Sequence, residues 1–300
     1  MTTVDVFAPA KINLTLHVTG QRDDGYHLLD SLVTFASVGD RINIVSGNAL
    51  SLTVEGPEAS GVPADMDNLA LRAAALIQDE GAALVLEKNL PAASGIGGGS
   101  ADAAAAWRGM LCLNDDAYNE FAQATDAVFK THMDPLTELG ADVPMCIACK
   151  PMRVRGIGTE LDLVSLPTLY AVLVNPRVPV STPSVFKALQ SKSNPSMPDE
   201  LPEFPDAQAL IDWLKSMRND LEAPALSVAP QIADVLAVLT DQEGCGLARM
   251  SGSGATCFGL FTDEGRAKAA AEQIYHAKPE WWVAGSVLGD QFNAALPGLS

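Results

Sequence analysis

From Leu90 to Asp102 the chain reads Leu-Pro-Ala-Ala-Ser-Gly-Ile-Gly-Gly-Gly-Ser-Ala-Asp, with glycine at four of the five positions 95–99. Glycine lets the backbone turn through positive φ and lets a ligand come close to the main chain. The alanine-rich run at 101–113 reads as a helix and residues 83–87 read as a strand. A loop held at both ends in this way is not a flexible linker. A helix that starts at the glycines presents unbonded N–H groups and the positive end of its dipole. Such an arrangement binds anions, phosphate above all.

Two familiar phosphate loops do not account for it. A Walker A loop needs Lys and Ser/Thr after its last glycine, whereas Gly99 is followed by Ser100-Ala101. A dinucleotide fingerprint needs a tight strand-to-helix turn and a later acidic residue after a second strand. Here residues 88–94 lengthen the approach, and Asp115-Asp116 follow no apolar run.

The segment 91–101 is instead similar, position for position, to the ATP loop of the GHMP kinases, the superfamily of galactokinase, homoserine kinase, mevalonate kinase and phosphomevalonate kinase. Ala8-Pro9-Ala10-Lys11-Ile12-Asn13-Leu14 resembles that superfamily's first motif, and Met250-Ser251-Gly252-Ser253-Gly254-Ala255-Thr256-Cys257-Phe258 its third. The three occur in the family's order and span most of the chain. Gly25-Tyr26-His27, Leu139-Gly140-Ala141-Asp142-Val143-Pro144, Arg155-Gly156-Ile157-Gly158, Asn175-Pro176, Ser181-Thr182-Pro183 and Phe186 resemble one branch, whose acceptor is an alcohol carrying a cytidine diphosphate in isoprenoid precursor synthesis. Ala92-Ala93-Ser94 is a small-residue variant of the loop, and residues 144–149 depart from the aromatic or aliphatic strand expected there.

The resemblance implies a small-molecule kinase that moves the γ-phosphoryl group of ATP, with Mg²⁺ bridging phosphate oxygens, onto a hydroxyl. Such transfer depends on positioning and charge stabilisation. It makes Asp142 and Lys11 the catalytic pair. Asp142 as general base and Asp142 as orienter of the hydroxyl both fit; the plain alternative is a turn cap after Gly140. Lys11, flanked by Pro9-Ala10 and Ile12, would hold Asp142, whereas a plain strand lysine would snorkel to solvent. Pro91, Ala92, Ala93, Ser94, Gly95, Ile96, Gly97, Gly98, Gly99, Ser100 and Ala101 are placed at ATP, the N–H groups of Ser100 and Ala101 included. Tyr26, His27 and Phe186 are placed at the substrate, an aromatic pair to sandwich a pyrimidine and His27 to bond its edge. Asn13 and Asn175 are placed at the polyol or diphosphate. A homoserine or mevalonate kinase would need no such platform. A non-catalytic nucleotide-binding regulator would need neither Lys11 nor Asp142.

Composition sets the outer bounds. The 300 residues are 48% hydrophobic, enough for one large domain or two modest ones. With 37 acidic against 19 basic residues, the net charge is −18, the wrong sign for a nucleic-acid footprint. Phosphate binding must therefore rest on local N–H groups and Mg²⁺. No run is apolar for long enough to span a membrane, and residues 1–5 carry no basic leader. A cytoplasmic protein, monomer or homodimer, is expected. The five cysteines read as reduced thiols, with Cys146-x-x-Cys149 as core residues. His17, His27, His132 and His276 show no metal-ligand spacing, and no acidic cluster marks a protein ligand for a metal.

The elements that must position these groups are read as follows. Strands are expected at 5–18, at 40–54 (two, around a turn at Gly47-Asn48), at 143–148, 169–174, 248–250, 256–261 and 282–287. Helices are expected at 68–78, 121–131, from Ser181-Thr182-Pro183, and at 219–226, 231–239 and 264–277. Residues 191–206, rich in Pro, Ser and acids, read as an exposed, mobile loop. Strands and helices without regular alternation indicate an α+β fold. The resemblance implies the two-domain GHMP kinase form of it, an ATP-binding domain at 1–160 and a substrate-side domain at 161–300, with the active site in the cleft between them.

Overall fold

A computed structural model describes residues 3–77, 81–113 and 133–299. Among these, twelve strands form one sheet whose main path runs β12-β1-β3-β11-β8-β10-β9. The strands are β1 (Thr3–Asn13), β2 (His17–Gln21), β3 (His27–Ser46), β4 (Ser51–Glu55), β5 (Ala82–Glu87), β6 (Met152–Gly156), β7 (Glu160–Leu163), β8 (Leu169–Asn175), β9 (Leu247–Met250), β10 (Cys257–Phe261), β11 (Trp282–Gly289) and β12 (Gly298–Leu299). The long strand β3 is the hub, pairing antiparallel with β1, β2, β5, β6 and β11. The β6–β7 hairpin spans the expected division at residue 160, and strands from both sides of it share the sheet.

The helices are α1 (Leu69–Ala75), α2 (Gly98–Cys112), α3 (Met133–Leu139), α4 (Val143–Ala148), α5 (Thr182–Lys187), α6 (Ala207–Lys215), α7 (Glu222–Val228), α8 (Gln231–Thr240), α9 (Glu264–Ala277) and α10 (Phe292–Ala295). One core packs α1, α2 and α4 on β1, β3 and β5; a second packs α7, α8 and α9 on β8 and β10. A third joins them through Ile12, Leu32, Leu173, Phe258 and the apolar face of α6. In α2, every residue from Ala101 to Cys112 is buried. A helix covered on all sides needs a surface apolar all round, and alanine lets its neighbours come close.

Several expectations are corrected. Residues 143–148 are a helix, α4, not a strand: Pro144 sits at its first turn, where a missing N–H costs nothing. A short apolar run fits a buried helix as well as a strand. The supposed 40–54 hairpin is split, because β5 lies between β3 and β4, antiparallel to one and parallel to the other. The first strand ends at Asn13, and β2 is separate. The helix expected at 121–131 lies outside the described residues, as does the end of the 68–78 helix.

Residues 191–206 have no regular structure but are pinned. Arg153 makes a buried two-point pair with Asp30 at 2.8 Å per arm and donates to the carbonyls of Pro198 and Asp199. Met197 is buried, and its N–H donates to Asp30. His17 Nδ1 lies 3.3 Å from the Pro195 carbonyl, and Nε2 accepts from Arg218 N. Burial, then the Arg218 cation, lowers the His17 pKa, in keeping with a neutral ring. Composition reported the polarity of this loop and not the buried carboxylate that ties it down.

Candidate active site

Lys11 lies near the end of β1, just past a register irregularity between Pro9 and Lys11 against β3. Such irregularities re-aim side chains. Its N–H donates to the Ile96 carbonyl at 2.9 Å, so the strand and the glycine loop are joined at this residue. The buried Lys11 ammonium donates to Asn13 Oδ1 at 2.8 Å and lies 3.1 Å from Asp142 Oδ2. Asn13 in turn donates to Ser31 Oγ at 2.8 Å. Asn13 thus orients the lysine. Asp142, the residue before α4, keeps its carboxylate 38% exposed. A charge held on one side and open on the other is placed to meet a bound group.

The glycine loop closes over the same spot. Gly97 has φ 66° and caps α2. A Cβ there would lie 3.1 Å from Lys11 Cε and 3.9 Å from Asp142 Oδ2. Gly95 has φ 79°, and a Cβ on it would come within 2.5 Å of the Ser251 carbonyl. The loop therefore packs against the third glycine motif. Ser251 Oγ donates to the Gly95 carbonyl and accepts from Asn13 N, both at 3.1 Å, and Thr256 N donates to the Ser94 carbonyl at 3.0 Å. Asn219 Nδ2 holds the motif's own turn through the Met250 and Gly252 carbonyls at 2.8 and 2.9 Å.

One expectation shifts by a turn. The helix begins at Gly98, and Ala101 N already donates to the Gly97 carbonyl at 2.8 Å. Ala101 is therefore no phosphate donor. The first-turn N–H groups of Gly98, Gly99 and Ser100 have no acceptor within the helix. They form the positive end of α2, whose capping residue Gly97 lies against Lys11 and Asp142. Ser100 stands in the first turn and is not the cap; its Oγ lies 3.8 Å from where a Cβ on Gly140 would be.

On the substrate side, His27 and Phe186 stack on each other, ring centres 4.6 Å apart at 24°, while Tyr26 stands 63% exposed. His27 Nε2 is buried without a partner, and burial, then Lys192, lowers the ring's pKa. The Asn175 amide is engaged internally, donating to Thr256 Oγ1 and accepting from Arg177 N. It shapes the chain beside the third motif instead of reaching outward. Thr182 at the start of α5 meets Ser253 Oγ at 2.7 Å, which joins the Phe186 helix to that motif.

The family models match on both sides of this site. Residues 68–150 match the GHMP kinases N terminal domain, and residues 201–279 match GHMP kinases C terminal. The chain is 51% identical to the 4-diphosphocytidyl-2-C-methyl-D-erythritol kinase of Roseobacter denitrificans, over 99% of this chain and 97% of that protein. It is 55% identical to the protein of the same name from Paracoccus denitrificans, over 94% and 95%. The chain belongs to the GHMP kinases, in the 4-diphosphocytidyl-2-C-methyl-D-erythritol kinase family. A crystal structure of 4-(cytidine 5'-diphospho)-2C-methyl-D-erythritol kinase matches this GHMP kinase with TM-score 0.71 and 32% identity, over 95% of this chain and 99% of that one. A homoserine kinase from Cytophaga hutchinsonii matches with TM-score 0.66 at 20% identity, a likeness of fold alone.

Sequence reasoning missed the network beneath the loop of this GHMP kinase. Lys88 Nζ meets Asp40 at 2.5 Å and Asp102 at 2.8 Å, all three buried. Asp40 also accepts from the N–H groups of Asn89 and Leu90, which sets the path of the chain into the loop. A lone Asp in an alanine run was the available signal. The CxxC pair is a core feature, as expected: both thiols are buried and free, and burial raises their pKa values. Among the described residues no cluster of His, Cys, Asp and Glu could hold a metal ion.

Proposed function

We propose that this GHMP kinase transfers the γ-phosphoryl group of ATP to the 2-hydroxyl of 4-diphosphocytidyl-2-C-methyl-D-erythritol. The observation that carries the reading is the Lys11–Asp142 pair, 3.1 Å apart, at the N-terminal end of α2, in a chain about half identical to kinases of that name along nearly its whole length. The substrate oxygen forms a bond to phosphorus as the bond from the γ-phosphorus to the ADP oxygen breaks, and the hydroxyl proton leaves toward Asp142. Lys11 holds that carboxylate in place and adds positive charge where phosphate charge gathers. The free N–H groups of Gly98, Gly99 and Ser100 take the phosphates. Among the described residues no cluster of His, Cys, Asp and Glu could hold a metal ion, and Mg²⁺ brought by the nucleotide would supply shielding of the phosphate charge.

Exposed Tyr26 and Phe186 are the aromatic pair for the pyrimidine, and His27, stacked on Phe186 with ring centres 4.6 Å apart, stands beside them. The unpartnered His27 Nε2 fits a bond to the base edge. On this reading residues 1–160 supply the ATP side and residues 161–300 the substrate side of the cleft, and strands of both share one sheet. Among the described residues no helix is long and apolar enough to cross a membrane, and we place the enzyme in the cytoplasm.

The test is ADP release with Mg·ATP and the cytidylylated substrate, for wild type and Asp142→Asn, with mevalonate and homoserine as controls. Turnover with the cytidylylated substrate alone, lost in Asp142→Asn while ADP still binds, is expected. Turnover with either control instead would overturn the pyrimidine site and leave a different small-molecule kinase.

A further inference from the structure

Arg108 is fully buried on α2. Its guanidinium carries a full positive charge, yet among the described residues no carboxylate forms an ion pair with it. Backbone carbonyls surround it instead. Nη1 donates to Cys146 at 2.8 Å and, more weakly, to Ile147 at 3.4 Å; Nε donates to Ala295 at 3.0 Å; Nη2 donates to Phe7 at 3.0 Å. Cys146 and Ile147 are the last turn of α4, whose first residue follows Asp142.

We infer that Arg108 is a positioning residue: it locks α4 to α2 so that Asp142 stands at a set distance from the phosphate loop. The two helices touch at both ends. At the reacting end, Gly97 and Gly140 abut Asp142 and Ser100. At the far end, the only link by charge among the described residues is Arg108. Its fork collects carbonyls at the C-terminus of α4 that no backbone N–H of the helix reaches, the Cys146 carbonyl accepting from the Cys149 thiol as well, and ties the same helix to β1, which carries Lys11. The alternative is simple core filling. A buried cation without a counter-charge is costly to desolvate, and apolar side chains of similar volume often replace buried charge at no loss of stability. Filling alone would not need a guanidinium.

This inference rests on the reading of Asp142 as the group that handles the hydroxyl, and the experiment separates the two. Asp142→Asn, Arg108→Met, Arg108→Lys and the Asp142→Asn/Arg108→Met double variant are assayed for kcat, for KM of each substrate and for ADP affinity. Arg108→Met is expected to lower kcat on the order of 10- to 100-fold, the cost of a small misplacement, with both KM values and ADP affinity within about threefold. Arg108→Lys, which keeps charge but loses the fork, falls between. The double variant is expected to be no slower than Asp142→Asn alone, because the arginine acts only through that carboxylate. Should Arg108→Met not fold, Arg108→Lys and its double variant with Asp142→Asn carry the same comparison. Unchanged kcat, loss of affinity in step with rate, or a further multiplicative loss on top of Asp142→Asn would overturn the inference. Full activity in Asp142→Asn would overturn the reading beneath it as well.

Discussion

At the scale of single residues, the site is a short chain of charge and hydrogen bonds in which each member has one clear task. Ser31 holds Asn13, Asn13 holds Lys11, and Lys11 holds Asp142. Asp142→Asn keeps the shape and removes the proposed acceptor for the hydroxyl proton, so kcat is expected to fall by about 10²- to 10⁴-fold. ADP affinity, read by calorimetry, is expected to stay within about threefold. Lys11→Met removes the charge as well as the support, and steady-state kinetics are expected to show a loss on the order of 10²-fold or more. Asn13→Ala leaves Lys11 charged but free to move, so its loss in kcat should be smaller than that of Lys11→Met. An equal or greater loss would mean that Asn13 contacts substrate directly.

At the scale of elements, the glycine loop is wedged between β1, α2 and the third glycine motif. A methyl group on Gly95 would meet the Ser251 carbonyl at 2.5 Å in a backbone conformation that side chains rarely adopt. Gly95→Ala is therefore expected to cost roughly 1–3 kcal/mol in stability and to weaken ADP binding, both readable by thermal shift with and without nucleotide. Gly99 makes the contrast. A Cβ there meets only Leu69 Cδ1, at 3.8 Å, so Gly99→Ala should leave the melting temperature nearly unchanged. Equal destabilisation by both would show that the loop is held by something other than its fit against Ser251.

At the scale of the whole molecule, one buried network gives stability a pH dependence. Burial pushes the Asp102 carboxyl up to about 8, against the opposing pull of Lys88 and with help from Asp40. The folded chain therefore holds a proton there that the unfolded chain, with an ordinary value of 3.8, releases. Stability from this group is full below about pH 4 and is lost as pH rises through about 8. Urea unfolding of the wild type is expected to show stability falling between about pH 4 and pH 8. In Asp102→Asn that part of the slope should vanish. An unchanged slope in the variant would place the titration elsewhere.

The sequence by itself determined the conformation of the loop. Four glycines, a following alanine run and three ordered motifs state a backbone conformation and a helix, and both are local properties. Strands such as β8 and the helix α9 were legible for the same reason, since apolar periodicity and caps act over a few residues. What only the tertiary structure decided is non-local. The run 143–148 is a helix whose preceding residue, Asp142, pairs with Lys11 and whose far carbonyls meet the buried Arg108, contacts that join residues far apart in the chain. β5 separates β3 from β4 because strand partners are chosen by the sheet, not by the turn between neighbours. The 191–206 segment is pinned by Asp30 and Arg153, 123 residues apart. Burial makes such pairings strong and leaves no trace in local composition, which is why the candidate site residues could be read early and the residues that hold them in place could not.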